Sequence, residues 1–165
     1  MMRQSHLQFA MICILALGGC SYRPLYGTTS EDRGVVGELA SISIPEADSR
    51  LGQIVRNDLL SAMRPAGATA PDRYRLDLKL TKSRNNIIDR SQPNVTRNSV
   101  NVSVAFSLRD GAKEIYSGQT FSQVSYDVVR QPFADMQAES NATERVAHEL
   151  SADIRTRLAA YFATH

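Results

Sequence analysis

Val100-Asn101-Val102-Ser103-Val104-Ala105-Phe106-Ser107-Leu108 alternates apolar and small polar side chains without a break. Successive side chains of a strand point to opposite faces, so this stretch predicts a strand with one buried and one wetted face. Asp110-Gly111 follows as a hairpin signal. Ile115 to Tyr126 then reads as the returning strand, with Gly118 as a candidate bulge. Upstream, Tyr74, Leu76, Leu78 and Leu80 alternate with Arg73, Arg75, Asp77 and Lys79, which predicts a half-buried strand with a charged outer face. The stretch between these strands, Asn85 to Asn98, is polar and reads as a mobile connection.

Outward from this hairpin the elements are shorter. Leu39 to Ile44 alternates and stops at Pro45, predicting a first strand. Ser49 is placed to cap a helix over Arg50–Met63, with Gln53 near the position a capping box uses. Leu51, Ile54, Val55, Leu59 and Ala62 fall on one face of that helix, and Arg64-Pro65-Ala66-Gly67 ends it. After Gln131-Pro132, neither Gly nor Pro occurs from about Asp135 to Phe162. Val146, Ala147, Leu150, Ile154, Leu158 and Tyr161 form an apolar stripe there. A helix of roughly 26 residues would be about 39 Å long and would cross an entire small sheet. The order β-α-β-β-β-α predicts an α+β fold: an about four-stranded, mainly antiparallel sheet with two helices packed on one face.

Composition narrows the function by exclusion. The 165 residues suit one domain, and 42% hydrophobic with 22% charged residues exclude a collagen-like, coiled-coil or wholly disordered chain. A formal net charge of +2 carries no polybasic signature, so nucleic acid is not an expected partner. Two cysteines and three histidines are too few for a disulfide framework or a multi-ligand zinc site. His148 lies next to Glu149, but Ala152 stands where a helical zinc site needs its second histidine, and His148 reads as a solvated surface residue. No serine sits in a glycine-flanked elbow, and the phosphate-loop and dinucleotide glycine patterns are absent. The expectation is a protein that is not an enzyme and that needs no metal and no cofactor.

The N-terminus predicts a compartment. Arg3 precedes Leu7–Leu17, an eleven-residue run that is almost wholly apolar, then come Gly18, Gly19 and Cys20. Eleven helical residues span roughly 17 Å, short of the roughly 30 Å hydrocarbon core, so the run reads as a secretory signal and not as a membrane span. Leu17-Gly18-Gly19-Cys20 resembles a bacterial lipobox, in which the cysteine thiol takes the diacylglycerol and the chain is cut just before it. This divides the chain into a signal peptide at 1–19, a lipidated tether at 20–34 and an α+β domain at 35–165. Cys13 leaves with the signal, so no disulfide is expected even in an oxidising periplasm. Three acyl chains on Cys20 exceed the two-signal requirement for stable anchoring, and Ser at position 21 favours the outer membrane.

One charge feature stands apart. From Pro71 to Val100 there are seven basic residues and three acidic ones, in a chain otherwise near neutral. Arg73, Arg75 and Lys79 share the strand face opposite the leucines. They form either a basic stripe able to hold the phosphates of an anionic lipid or a solvated face that guards an edge strand.

Two stretches resemble a known family. The lipobox followed by Tyr22-Arg23-Pro24-Leu25-Tyr26-Gly27 is similar to the start of alphaproteobacterial members of the LPS-assembly lipoprotein family LptE. Gln131-Pro132-Phe133-Ala134, Ala147–Arg155 and Arg157–Phe162 resemble its long final helix. The resemblance implies a non-catalytic, outer-membrane lipoprotein on the periplasmic side that plugs the large β-barrel LptD, aids its folding and contacts lipopolysaccharide. Only Cys20 carries over from the family; Arg73, Arg75 and Lys79 rest on the charge pattern. The alternative of another class is an auxiliary lipoprotein of an inner-membrane lipid-transport ABC system.

Overall fold

The computed structural model describes residues 30–64, 70–88, 96–128 and 131–165. The chain runs α1 (Ser30–Ala40), β1 (Ile42–Ser43), α2 (Arg50–Met63), β2 (Tyr74–Ile88), β3 (Thr96–Asp110), β4 (Lys113–Asp127) and α3 (Pro132–Thr164). Arg33–His165 forms one compact unit. The signal at 1–19, Cys20 and the tether up to residue 29 lie outside the described residues, and Ser30–Gly34 of the tether segment belong to α1.

The four strands lie in the order β1-β2-β3-β4. β1 is parallel to β2, pairing Ile42 with Tyr74 and Ser43 with Arg75. β2 and β3 are antiparallel from Tyr74↔Asp110 to Ile88↔Thr96, and β3 and β4 from Arg97↔Asp127 to Asp110↔Lys113. Gly111, at φ 59°, makes the turn between β3 and β4. The alternation in β3 is borne out: Val100, Val102, Val104, Phe106 and Leu108 are buried on one face with Leu76 of β2. α2 and α3 supply Leu51, Val55, Leu59, Val146, Leu150, Ile154 and Leu158 to the same core. Serines, amides and charged residues carry most of the other face, as an antiparallel sheet with one solvated side requires. The α+β architecture is therefore as expected, with one more helix, α1, ahead of it.

Four local expectations change. First, the polar stretch 85–98 is largely strand, with Asn85 paired to Ser99 and Asn86 to Asn98. The ladder is a main-chain structure and extends without apolar side chains as long as its backbone groups are paired. Second, Leu39 and Ala40 end α1, and the strand after them is only two residues long. Six alternating residues do not separate a strand from a helix turn. Pro45 follows, and two arginines take up the carbonyls there: Arg56 Nε of α2 donates to Ile44 O at 3.0 Å and Pro45 O at 3.1 Å, and Arg64 Nη2, at the C-cap of α2, to Ile42 O at 2.9 Å.

The third change concerns α2. Its span and cap are as expected, with Gly52 N donating to Ser49 Oγ at 3.0 Å, but Gln53 Nε2 reaches Ala47 O at 3.4 Å and closes no box. Met63 takes the core position that spacing assigned to Ala62, which is exposed. Fourth, the register slips between Leu108 and Arg109, which leaves Ile115 as the extra residue in β4, so Gly118 is not the bulge. Gly118 lies opposite Phe106. A Cβ there would stand 2.6 Å from Phe106 Cζ, so the ring occupies the space that glycine leaves.

α3 starts at Pro132, in the first helical turn where its missing N–H costs nothing. At 33 residues it is about 50 Å long. It packs chiefly on β4 and α2. Its last turn is pinned by aromatic contacts, with Tyr161 stacked on Tyr116 at 4.9 Å and Phe162 against Tyr74 at 5.2 Å.

Candidate functional site

The alternation of β2 places Lys82 and Arg84 on the same face as Leu76, Leu78 and Leu80, toward α3. Lys82 Nζ donates to Glu139 Oε1 at 2.9 Å and to Thr143 Oγ1 at 3.1 Å, and Arg84 Nη1 donates to Glu139 Oε2 at 3.0 Å. Tyr126 OH reaches the same Oε2 at 3.5 Å and receives Asn98 Nδ2 at 3.4 Å. One carboxylate thus gathers β2, β4 and α3 where the apolar core runs out. The Lys82 hydrogen bond holds the Glu139 carboxyl below its ordinary range, against the opposing effect of partial burial, and Arg84 adds to the lowering. Glu139 in turn raises the Arg84 guanidinium.

An open groove of about 620 Å³ adjoins this cluster. Leu51 and Ile54 of α2, Leu80 and Lys82 of β2, and Met136 and Glu139 of α3 line it. Met136 and Phe133 expose large apolar surface on the first turns of α3. The groove combines an apolar floor with a cation whose charge Glu139 already balances. Sequence reasoning missed Lys82 and Arg84 as a site. The signal was present in their parity, since a leucine face that turns to Lys and Arg needs an acidic partner on whatever packs against it.

The three cations of the expected stripe are not brought together as equals. Arg73 precedes β2, lies 3.6 Å from both Glu38 and Asp110, and its guanidinium stands over the Tyr74 ring at 4.8 Å. Burial raises the Tyr74 phenol, and its hydrogen bond to Glu38 raises it further. Arg75, 62% exposed, donates to Asp77 at 2.8 Å, and Arg109 approaches the other Asp77 oxygen at 3.6 Å. Lys79 is exposed, and no hydrogen bond or ion pair holds it among the described residues. Asp77 therefore sits between Arg75 and Lys79 on the outer face and partly neutralises it. His148 is exposed, yet its Nδ1 lies 2.6 Å from Asp58 Oδ2 and links α3 to α2.

Among the described residues no cluster of three or more metal-binding side chains occurs, and no helix is long and apolar enough to cross a membrane.

Comparison with known proteins bears on the family and the fold. No curated protein sequence matches the chain. Twenty chains of solved structures are similar to it, among them the following three lipoproteins. A candidate lipoprotein from Caulobacter crescentus has 29% identity and a TM-score of 0.66, covering 81% of this chain and 98% of its own. A minor lipoprotein from Acinetobacter baumannii has 17% identity and a TM-score of 0.55, covering 73% and 89%. The rare lipoprotein B from Shewanella oneidensis has 14% identity and a TM-score of 0.50, covering 73% and 92%. The last two establish likeness of fold alone. The model of the family LptE, described as lipopolysaccharide-assembly, matches residues 39–158, from the end of α1 through all four strands to the last turns of α3. The chain belongs to the lipopolysaccharide-assembly family LptE.

Proposed function

We propose that this non-enzymatic member of the LptE family is an outer-membrane lipoprotein, anchored on the periplasmic side through acylated Cys20, that plugs and helps fold an LptD-type β-barrel and contacts lipopolysaccharide. The observation that carries this reading is the extent of the family match, which takes in the whole sheet, α2 and α3 as far as Leu158. The organisation that goes with it is a signal at 1–19, a tether at 20–34 and a folded domain at 35–165. A plug must be compact and polar outside, because the lumen of a large barrel is polar and water-filled. The outer sheet face, with Ser83, Asn101, Ser103 and Gln119, meets that requirement. For lipopolysaccharide phosphates, Lys79 is the freest of the three stripe cations. Arg75 is next, through one shared carboxylate, and Arg73 is the most committed.

The test is affinity purification of the chain from detergent-solubilised outer membranes, with mass spectrometry of whatever copurifies near equal stoichiometry. One large β-barrel is the expected partner. Recovery of an inner-membrane ATPase complex, or of no partner, would remove the plug assignment.

A further inference from the structure

β4 is the last strand of the sheet, and among the described residues nothing pairs with its outer edge. Natural edge strands are normally guarded by charge, proline or a bulge. Tyr116-Ser117-Gly118-Gln119-Thr120-Phe121-Ser122-Gln123-Val124-Ser125-Tyr126 has none of the three, and the nearest charges, Glu114 and Asp127, lie beyond its ends. Phe121 in the middle points away from the core and is 77% exposed, the most exposed large hydrophobic side chain among the described residues. Beside the same stretch, Glu149, Asp153 and Arg157 of α3 and residues 119–122 of β4 line a groove of about 480 Å³. No residue of β3 lines it, so the groove opens on the free flank of β4. Two carboxylates face one guanidinium there. Arg157 holds Asp153 at 2.8 Å, while Glu149 is met by the uncharged Ser122 hydroxyl.

We propose that this edge takes up an extended segment of the barrel chain as a fifth strand, and that the groove beside it receives a lysine or arginine from that segment. The pairing rests on the plug reading and deepens it, by saying which part of the plug binds main chain. A strand laid on β4 forms hydrogen bonds with backbone groups that have no partner strand, and its alternate side chains give selectivity. Side chains that fall on its inner side, next to Thr120 and Ser122, reach the groove. A basic side chain there stands beside Glu149 and offsets the excess of carboxylate. On the outer side the residue opposite Phe121 is aromatic or β-branched, the classes that pair best across strands.

The barrel wall cannot be the donor. Every wall strand of a closed barrel is already paired on both sides, so its backbone has no free edge to offer. Only chain that leaves the wall can pair with β4, and the long loops of such barrels are the segments able to fold into the lumen. The opposite edge of the sheet offers no equivalent, since Asp77, Lys79, Lys82 and Arg84 lie along it. Eleven residues at roughly 3.4 Å each span about 37 Å, a small patch. One added strand therefore fixes register and orientation, while the rest of the enclosed surface supplies the remaining contact.

Photocrosslinking of the full chain in cells tests this, read on the complex that copurifies from outer membranes. A benzophenone amino acid replaces Phe121 and, in separate strains, Ala105 in the middle of the same outer face and Lys79 near its charged edge, both exposed. Position 121 should crosslink to one short stretch of the barrel chain at least about fivefold more than the other two, because directly opposed side chains approach most closely. A cysteine at the crosslinked barrel position should form a disulfide with Phe121→Cys, since opposed Cβ atoms lie about 4.5–5.5 Å apart. The same cysteine should not reach Ser117→Cys, four positions or about 14 Å away. Glu149→Lys should cut the position-121 crosslink at least about tenfold, by setting like charges against each other. Glu149 is exposed, so thermal unfolding of the purified variant should be little changed. A copurifying barrel with crosslinks spread evenly over the three positions would overturn the strand pairing and leave the plug reading standing. A position-121 crosslink to a different protein, or full crosslinking in Glu149→Lys, would also overturn the proposal, and a complex without a barrel would remove both readings.

Discussion

Replacing Glu139 with Gln tests whether one carboxylate locks α3 to the far end of the sheet. The substitution keeps the shape and removes the charge that Lys82 and Arg84 share at 2.9 and 3.0 Å. Glu139 is 27% exposed and Lys82 35%, so this pair sits at the upper end of the surface range, about 1 kcal/mol. Arg84 is 56% exposed, and solvent screening leaves it the smaller share. The expected loss is about 1–2 kcal/mol, or about 3–6 °C in Tm for a chain of this size. The pH dependence carries the sign. Because the folded Glu139 carboxyl titrates below its ordinary value of 4.5, its contribution is full above that value and fades as pH falls through the lower folded one. Thermal unfolding followed by circular dichroism at neutral pH and again well below pH 4.5 should therefore show a gap between the two proteins that closes in acid. A gap of the same size at both pH values would refute the charge argument, as would no gap at neutral pH. Lys82→Met with Glu139→Gln completes the cycle, with a coupling of about 0.5–1 kcal/mol expected for the direct pair.

The remaining predictions reach from the core to the membrane. Gly118→Ala should destabilise by about 1–3 kcal/mol in urea unfolding, because the new methyl meets the Phe106 ring at 2.6 Å; an unchanged midpoint would mean the ring yields freely. Arg75→Glu with Lys79→Glu reverses two charges on the outer face and should weaken lipopolysaccharide binding most at low salt, where screening is least. Equal binding under those conditions would return the stripe to an ordinary solvated face. Cys20→Ala should abolish acylation and leave the chain with its signal attached or mis-sorted; a normally acylated, outer-membrane product would sink the lipobox reading.

The hairpin was readable because the period of two runs unbroken from Val100 to Leu108 and every even position has a buried place to go. The helix over Arg50–Met63 was readable for a similar reason, since Ser49 states its start and the apolar spacing states its face. Legibility ended where side chains stopped reporting burial. Asn85 and Asn86 pair with Ser99 and Asn98 through backbone alone, which no hydropathy pattern records. β1 was legible as a strand but its length was not, because its pairing stops after two residues, for reasons that lie in Pro45, in Arg56 of α2 and in Arg64 at the helix's C-cap. The Glu139 cluster was half legible. The parity of Lys82 and Arg84 announces a buried-side charge, but its partner lies more than fifty positions away, and only packing identifies it.

The two edges of the sheet are treated in opposite ways, and the difference bears on how the chain associates. β1 covers β2 only at Tyr74 and Arg75, so Leu76–Ile88 is also an edge among the described residues. That edge carries Asp77, Lys79, Lys82 and Arg84, which repel a second strand laid alongside and resist desolvation. Glu139 reinforces this guard, because it fixes Lys82 and Arg84 against α3 where an incoming strand would have to displace them. β4 has no such guard between Tyr116 and Tyr126. If both edges were open, head-to-tail addition would build an unbounded sheet. With one edge charged, main-chain pairing is confined to the other, and the sheet cannot grow from both sides.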